Sequence, residues 1–175
     1  MKRPAGCCLL ILLLLLAPAQ AAMDNYALQW QYIKNFVKYI QWPGDGQGGD
    51  FRFCVLGPSP FGATSGRIRL KKAMLSLSII HYEDKLPDEN EMALCHLAYL
   101  GHGLDADLYF YLLNELKTRP VLTISDREQF IAQGGLMQFT RVNNKLRFII
   151  NGREAKKKGI VISPVLLRLS EKGVG

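Results

Sequence analysis

The chain has 175 residues, 49% of them hydrophobic and 21% charged, with a formal net charge of +7. This balance excludes a disordered chain, and the single 11-residue apolar run near the N-terminus is too short for a bilayer, which needs roughly 20 residues. The four cysteines, Cys7, Cys8, Cys54 and Cys95, include no C-x-x-C pair.

The N-terminus reads as a secretory leader over residues 1–21. Lys2 and Arg3 form a basic start, Cys7 to Ala17 an apolar core, and Ala19-Gln20-Ala21 a small-residue cleavage site. Cleavage before Ala22 leaves 154 of the 175 residues as one domain, 22–175, with the charge reduced to +5 by loss of Lys2 and Arg3. A domain of this size buries roughly 70% of its unfolded surface. The short leader and compact domain point to a bacterial periplasm. Export argues against nucleic acid as a partner. A mildly basic surface suits either plain solubility or an acidic partner. The two remaining cysteines, Cys54 and Cys95, form an even pair that invites a disulfide in an oxidising compartment.

The elements follow in order. From Asp24 to Pro43, Tyr26, Trp30, Ile33, Val37 and Ile40 recur at helical spacing, which predicts one helix ended by Pro43. "GDGQGGD" is a flexible loop. "FRFCVLG" is a strand, with Phe51, Phe53 and Val55 on one face and Cys54 on the other. "GPSPFGATSGRIRL" reads as a loop after a strand, a common place for ligands in α/β folds, and makes Ser59 a candidate contact. "LSLSIIHYE" is the second strand and "DKLPDENEM" an acidic surface loop. "ALCHLAYLG" is a strand buried on both faces. "LDADLYFYLLNELKTRP" is a helix with Leu108, Leu112, Leu113 and Leu116 turned to the core. "VLTISD" is a fourth strand, "REQFIAQGG" a short helix closed by glycine, and residues 135–151 a β-hairpin turning at Asn143-Asn144. Asn151 caps a helix that holds Lys156, Lys157 and Lys158. Ser163 and Pro164 start a last helix, which carries Arg168 and stops at Gly173.

Strands alternating with helices, then a hairpin, predict a single three-layer α/β domain. Its sheet is mixed and mostly parallel, with helices on both faces and a late antiparallel hairpin.

The residues offer little catalytic chemistry. Of the three histidines, His96 reads as a satisfied core residue, His81 lies at a strand end, and His102 follows a strand in "LGHGLD" and is the best ligand candidate. There is no G-x-S-x-G elbow and no metal-ligand spacing. Asp126 ends a strand in the manner of a catalytic or metal-binding carboxylate, yet the sequence shows it no companion, and capping by Ser125 or Asp126 accounts for the position. No catalytic residue, metal ligand or cofactor is assigned. A binding or regulatory module is favoured over an enzyme. The lysine run beside an apolar helix, from Arg153 to Lys172, is a candidate surface for an acidic partner.

Six ordered phrases carry a further reading: "YIQWP", "FCVLGPSPFG", "CHLAYL", "RPVLTISDREQFIAQGGLMQF", "NKLRFIIN" and "ISPVLLRLSEK". Together they resemble the YfiR-like family of bacterial periplasmic proteins over nearly the whole chain after the leader. The resemblance implies a repressor that binds the periplasmic sensor domain of an inner-membrane diguanylate cyclase, a GGDEF protein, and holds down cyclic-di-GMP synthesis and biofilm formation. An outer-membrane or other envelope protein and a second copy of the chain are further candidate partners. The resemblance also implies a bridge between Cys54 and Cys95. The family's second cysteine pair, near the late hairpin, has no counterpart here, and Ile149 stands where family members often have Glu. The alternative function is a periplasmic small-molecule sensor acting with a membrane receptor such as a histidine kinase. Its cleft would lie between loops 57–66 and 101–105, with Ser59, His102 and Asp126 as contacts.

Overall fold

Near-continuous apolar runs in the central strand phrases produce a main sheet with two buried faces. The computed structural model describes residues 17–44, 50–62, 66–70, 75–83 and 85–171. The expected leader lies outside these residues except for 17–21, which begin the first helix. No described helix is long and apolar enough to cross a membrane.

Helix α1 (Ala17–Phe36) carries the aromatic stripe. It ends earlier than the sequence suggests, because Val37–Tyr39 tighten into a 3-10 turn and Ile40–Gln41 form strand β1. β-Branched and aromatic residues weaken a helix here, and β1 gains an antiparallel partner in β9 (Val161–Ile162), a strand the sequence does not reveal. Trp42 then anchors the exit, its Nε1 donating to the His96 carbonyl at 2.9 Å.

The main sheet has seven strands: β2 (Asp50–Leu56), β3 (Gly66–Leu70), β4 (Leu75–Tyr82), β5 (Leu97–Leu100), β6 (Leu122–Ser125), β7 (Met137–Val142) and β8 (Lys145–Ile150). Their spatial order is β3-β4-β2-β5-β6-β7-β8. The five inner strands run parallel, and β3 and β8 are antiparallel edges. The α/β architecture with a mixed, mostly parallel sheet and a late hairpin is therefore the one present. Strand β3 occupies a stretch that reads as loop in sequence. Its pairing with β4 overrides the weak local signal of "GRIRL".

Strand period decides which residues meet which helix. Phe51, Phe53 and Val55 face α1 together with Leu97, Tyr99 and Ile124, and Ala155 and Leu166 of the C-terminal helices join this cluster. Cys54, Leu56, Ala98 and Leu100 face the other way, against helix α3 (Ala106–Leu116) through Tyr109, Leu112, Leu113 and Leu116. The short helix α2 (Glu89–Ala93) closes this second face with Met92. It arises inside the acidic stretch that reads as loop, because Asp88 and Glu91 form a reciprocal capping box.

Residues 127–135 are a series of turns, not a helix. Gln129 takes a left-handed φ of 60° and interrupts any continuous ladder. The glycine closure is nevertheless there: Gly135 N donates to Phe130 O and Gly134 N to Ile131 O, a Schellman pattern. The hairpin turns through Asn143 and Asn144 at φ 49° and 60°, values suited to a tight two-residue connection. Helix α4 (Gly152–Lys157) is capped by Asn151, whose side chain accepts from Glu154 N at 3.1 Å. Helix α5 (Pro164–Leu169) is capped by Ser163. The chain then lies along β8: Ser170 Oγ accepts from Ile150 N at 3.0 Å and Glu171 N donates to Phe148 O at 2.9 Å. Gly173, the expected stop, lies outside the described residues.

Candidate functional site

Strand order reverses between β2 and β5, the point at which open α/β sheets usually bind ligands beyond the carboxyl ends of the strands. Here the described parts of the two loops touch. A side-chain carbon at Gly57 would sit 2.7 Å from Leu104 Cδ2, and one at Gly103 would sit 2.8 Å from Pro58 Cγ. The loops after β2 and β5 thus pack on each other and do not stand apart as cleft walls. Ser59 serves its own loop: Phe61 N donates to its hydroxyl at 3.3 Å, and its backbone N donates to Glu83 Oε1 at 3.2 Å.

His102 and Asp126, by contrast, are brought together. His102 Nε2 lies 3.5 Å from Asp126 Oδ1, with the imidazole largely exposed and the carboxylate largely buried. The fully buried Tyr99 donates its hydroxyl to the same Oδ1 at 2.9 Å. The Tyr26 phenol of α1 also lies close enough to Asp126 to feel its charge. Burial, followed by the Asp126 charge, raises both phenols above their ordinary ionisation range, so Tyr99 stays a neutral donor to the carboxylate. Asp126 therefore joins α1, β5 and the loop after β6. The tyrosines are companions that linear spacing does not reveal, because they come from elements far apart in the chain.

Arg127, also unmarked in the sequence reading, fixes the position of His102. Its guanidinium donates to Gly101 O at 3.2 Å, to His102 O at 3.1 Å and to Leu104 O, and stacks 4.4 Å from the Tyr109 ring centroid. Ser125 Oγ donates to Leu100 O and accepts from Arg127 N at 3.1 Å. Phe61 lies over the aromatic end of α1, with ring centroids 4.8 Å from Tyr99 and 6.0 Å from Trp30.

An open cavity of about 240 Å³ is lined by Asp126, the residue after β6, and by residues of β7. Its lining includes Asn25 and Gln29 of α1, Glu128, and Thr140 and Arg141 of the hairpin. Among the described residues no group of three or more His, Cys, Asp or Glu is placed to hold a metal ion. His96 is a structural residue: its Nδ1 accepts from Arg52 N at 3.2 Å.

The C-terminal candidates separate. Lys156 and Lys157 of α4 and Arg168 of α5 are exposed, with Lys157 paired to Glu154 at 2.5 Å. Lys158 turns inward. Its Nζ donates to the carbonyl of Leu116, in the last turn of α3, at 2.8 Å, and burial lowers its pKa from 10.5 to about 8. Exposed Val161, Val165, Leu167 and Leu169 lie in the same C-terminal segment. Lys172 lies outside the described residues.

Cys54, in the middle of β2, and Cys95, just before β5, are joined by a disulfide with a Cα separation of 5.9 Å. A bridge of this kind fits an oxidising compartment. A family model described as YfiR/HmsC-like matches residues 26–171, from the aromatic stripe of α1 to the residue that bridges to β8. The chain belongs to the YfiR/HmsC-like family. The match takes in all seven strands of the main sheet, both bridged cysteines and the Asp126 cluster, so the family domain and the fold coincide. Comparison with curated proteins returned no match.

Proposed function

We propose that this YfiR/HmsC-like protein acts in the periplasm as a stoichiometric repressor of an inner-membrane diguanylate cyclase. It docks on the cyclase's periplasmic sensor domain and favours its inactive state. Family membership across residues 26–171 carries this reading, and the disulfide is compatible with the compartment it needs. A regulator of this kind works by differential affinity for two receptor states and needs no catalytic residue.

The docking surface we assign is the C-terminal segment from Arg153. Exposed Lys156, Lys157 and Arg168 supply charge for steering, and exposed Val165, Leu167 and Leu169 supply apolar area. Lys158 is left out of this set because its ammonium group is committed to Leu116 O.

The test is co-expression with membrane GGDEF proteins of the same genome that carry a periplasmic sensor domain, with cyclic-di-GMP measured in extracts. Repression by the wild type, and its loss in Lys156→Glu/Lys157→Glu/Arg168→Glu with export and folding intact, is the expected result. Unchanged cyclic-di-GMP with the wild type, together with no membrane receptor recovered by crosslinking, would end the proposal. Full repression by the triple variant would move the surface elsewhere.

A further inference from the structure

Gln29 lies in the buried stripe of α1 at 0% exposure, and neither its Nε2 nor its Oε1 has a hydrogen-bond partner among the described residues. Leaving such a group unsatisfied carries the full desolvation penalty of the amide, and an apolar residue of similar volume would fill the position without that cost. Gln29 lines the cavity between α1 and the β7–β8 hairpin.

The other lining groups share one chemistry. Asp126 and Glu128 supply carboxylates, Asn25 a carboxamide and Thr140 a hydroxyl. The carboxamide oxygen of Gln138 is already taken by Ile131 N at 3.2 Å. Arg141 is the single cation of the lining, and its Nη1 donates to Asn144 Oδ1 at 3.0 Å, which ties it to the hairpin turn. Phe139 and Leu146 form the apolar part of the wall. Two carboxylates and carboxamide oxygens beside a short apolar surface complement a molecule with N–H donors and a methylene stem. A volume of about 240 Å³ accommodates a short chain of that type.

We propose that the protein binds a small aliphatic amine in this cavity, with Asp126 and Glu128 holding the ammonium group and Gln29 completing its hydrogen bonding. The site goes beyond docking on a receptor and is independent of the partner's identity. A ligand here touches α1 and the hairpin together, and it shares Asp126 with Tyr99, Tyr26 and His102.

The probe is 1,4-diaminobutane, with 1,4-butanediol as its uncharged counterpart, titrated at constant ionic strength into the full processed protein. Calorimetry should show saturable binding of the diamine and none of the diol. The side-chain amide resonance of Gln29 in a ¹⁵N spectrum should shift along the same saturation curve. Glu128→Gln and Asp126→Asn should each weaken binding at least about tenfold, as expected for loss of a charge-assisted contact. Asp126→Asn also disturbs the tyrosine contacts. Glu128→Gln, at an exposed position, and the wild-type Gln29 resonance therefore decide the matter if that variant fails to fold. No saturable diamine binding, a Gln29 resonance that stays still at saturation, or equal affinity in Glu128→Gln each overturns the proposal. None of these outcomes alters the cyclic-di-GMP test of receptor docking.

Discussion

Reduction of the Cys54–Cys95 bridge offers the most direct measure of how this domain is held together. The two cysteines are 41 residues apart. In the chain-entropy description, closing a loop of about 42 residues removes roughly 13 cal/mol/K from the unfolded ensemble, or about 4 kcal/mol at 25 °C. The native state gains little from the tie. Strands β2 and β5 are already hydrogen-bonded neighbours, with Cys54 opposite Ala98, so the bridge acts mainly on the unfolded chain. Stability measured by urea unfolding of the protein, first oxidised and then reduced with a phosphine, should therefore fall by about 4 kcal/mol. The slope against urea should increase, because the unlinked chain exposes more surface on unfolding. For a domain of this length the melting temperature should fall by roughly 8–16 °C. Both sulfurs are buried, Cys54 at 0% and Cys95 at 5% exposure, so reduction in native buffer should be slow and should accelerate with urea. A loss below about 1 kcal/mol with an unchanged slope would refute the unfolded-state argument.

Other consequences follow from individual contacts. Tyr99→Phe removes a buried donor to a carboxylate and should cost about 1.5–3 kcal/mol in urea unfolding; a neutral result would mean that Tyr26 and His102 alone satisfy Asp126. Asp105→Ala removes the side chain that accepts from Leu108 N and caps α3, and should cost about 1 kcal/mol. Lys158 has a folded pKa of about 8 against 10.5 in the reference state. Below pH 8 both states bind the proton and the folded state bears the full desolvation cost. Between the two pKa values only the unfolded state retains it, so stability should rise as pH increases from 8. The side chain is partly solvated, so the rise should be about 1–2 kcal/mol after discounting for screening. Lys158→Met should remove the part of the slope found between pH 7.5 and 9.5, and an unchanged slope in that variant would show that Lys158 is not its source.

Much of this fold is legible in the sequence because strand alternation and capping residues are local signals. Phe51, Phe53 and Val55 face α1 while Cys54 faces α3, as their spacing implies. Asn151, Ser163 and the Asn143-Asn144 turn act at the positions where their side-chain chemistry suits them. What escapes local reading depends on partners distant in the chain. Ile40 leaves the helical pattern because it pairs with Ile162. "GRIRL" becomes a strand because β4 lies beside it. The acidic stretch before Cys95 hides a capping box, which a closer reading of Asp88 and Glu91 could have found. At the candidate site, His102 and Asp126 can be read as strand-end residues, but their contact cannot, and neither can the tyrosines or Arg127. The expected cleft between loops 57–66 and 101–105 depends on how far the loops stand apart, and Leu104 packs on Gly57 and Pro58 on Gly103.

The path of the last residues along β8 has a consequence for self-association. An edge strand with unpaired amides and carbonyls is a template on which another chain can extend the sheet. In this protein Ser170 occupies the amide of Ile150, Glu171 the carbonyl of Phe148, and the Glu171 carboxylate meets Arg147 at 3.2 Å. The tail thus acts as a guard strip over the last residues of this edge strand, and a chain shortened after Leu169 would present them to its neighbours and aggregate by strand addition.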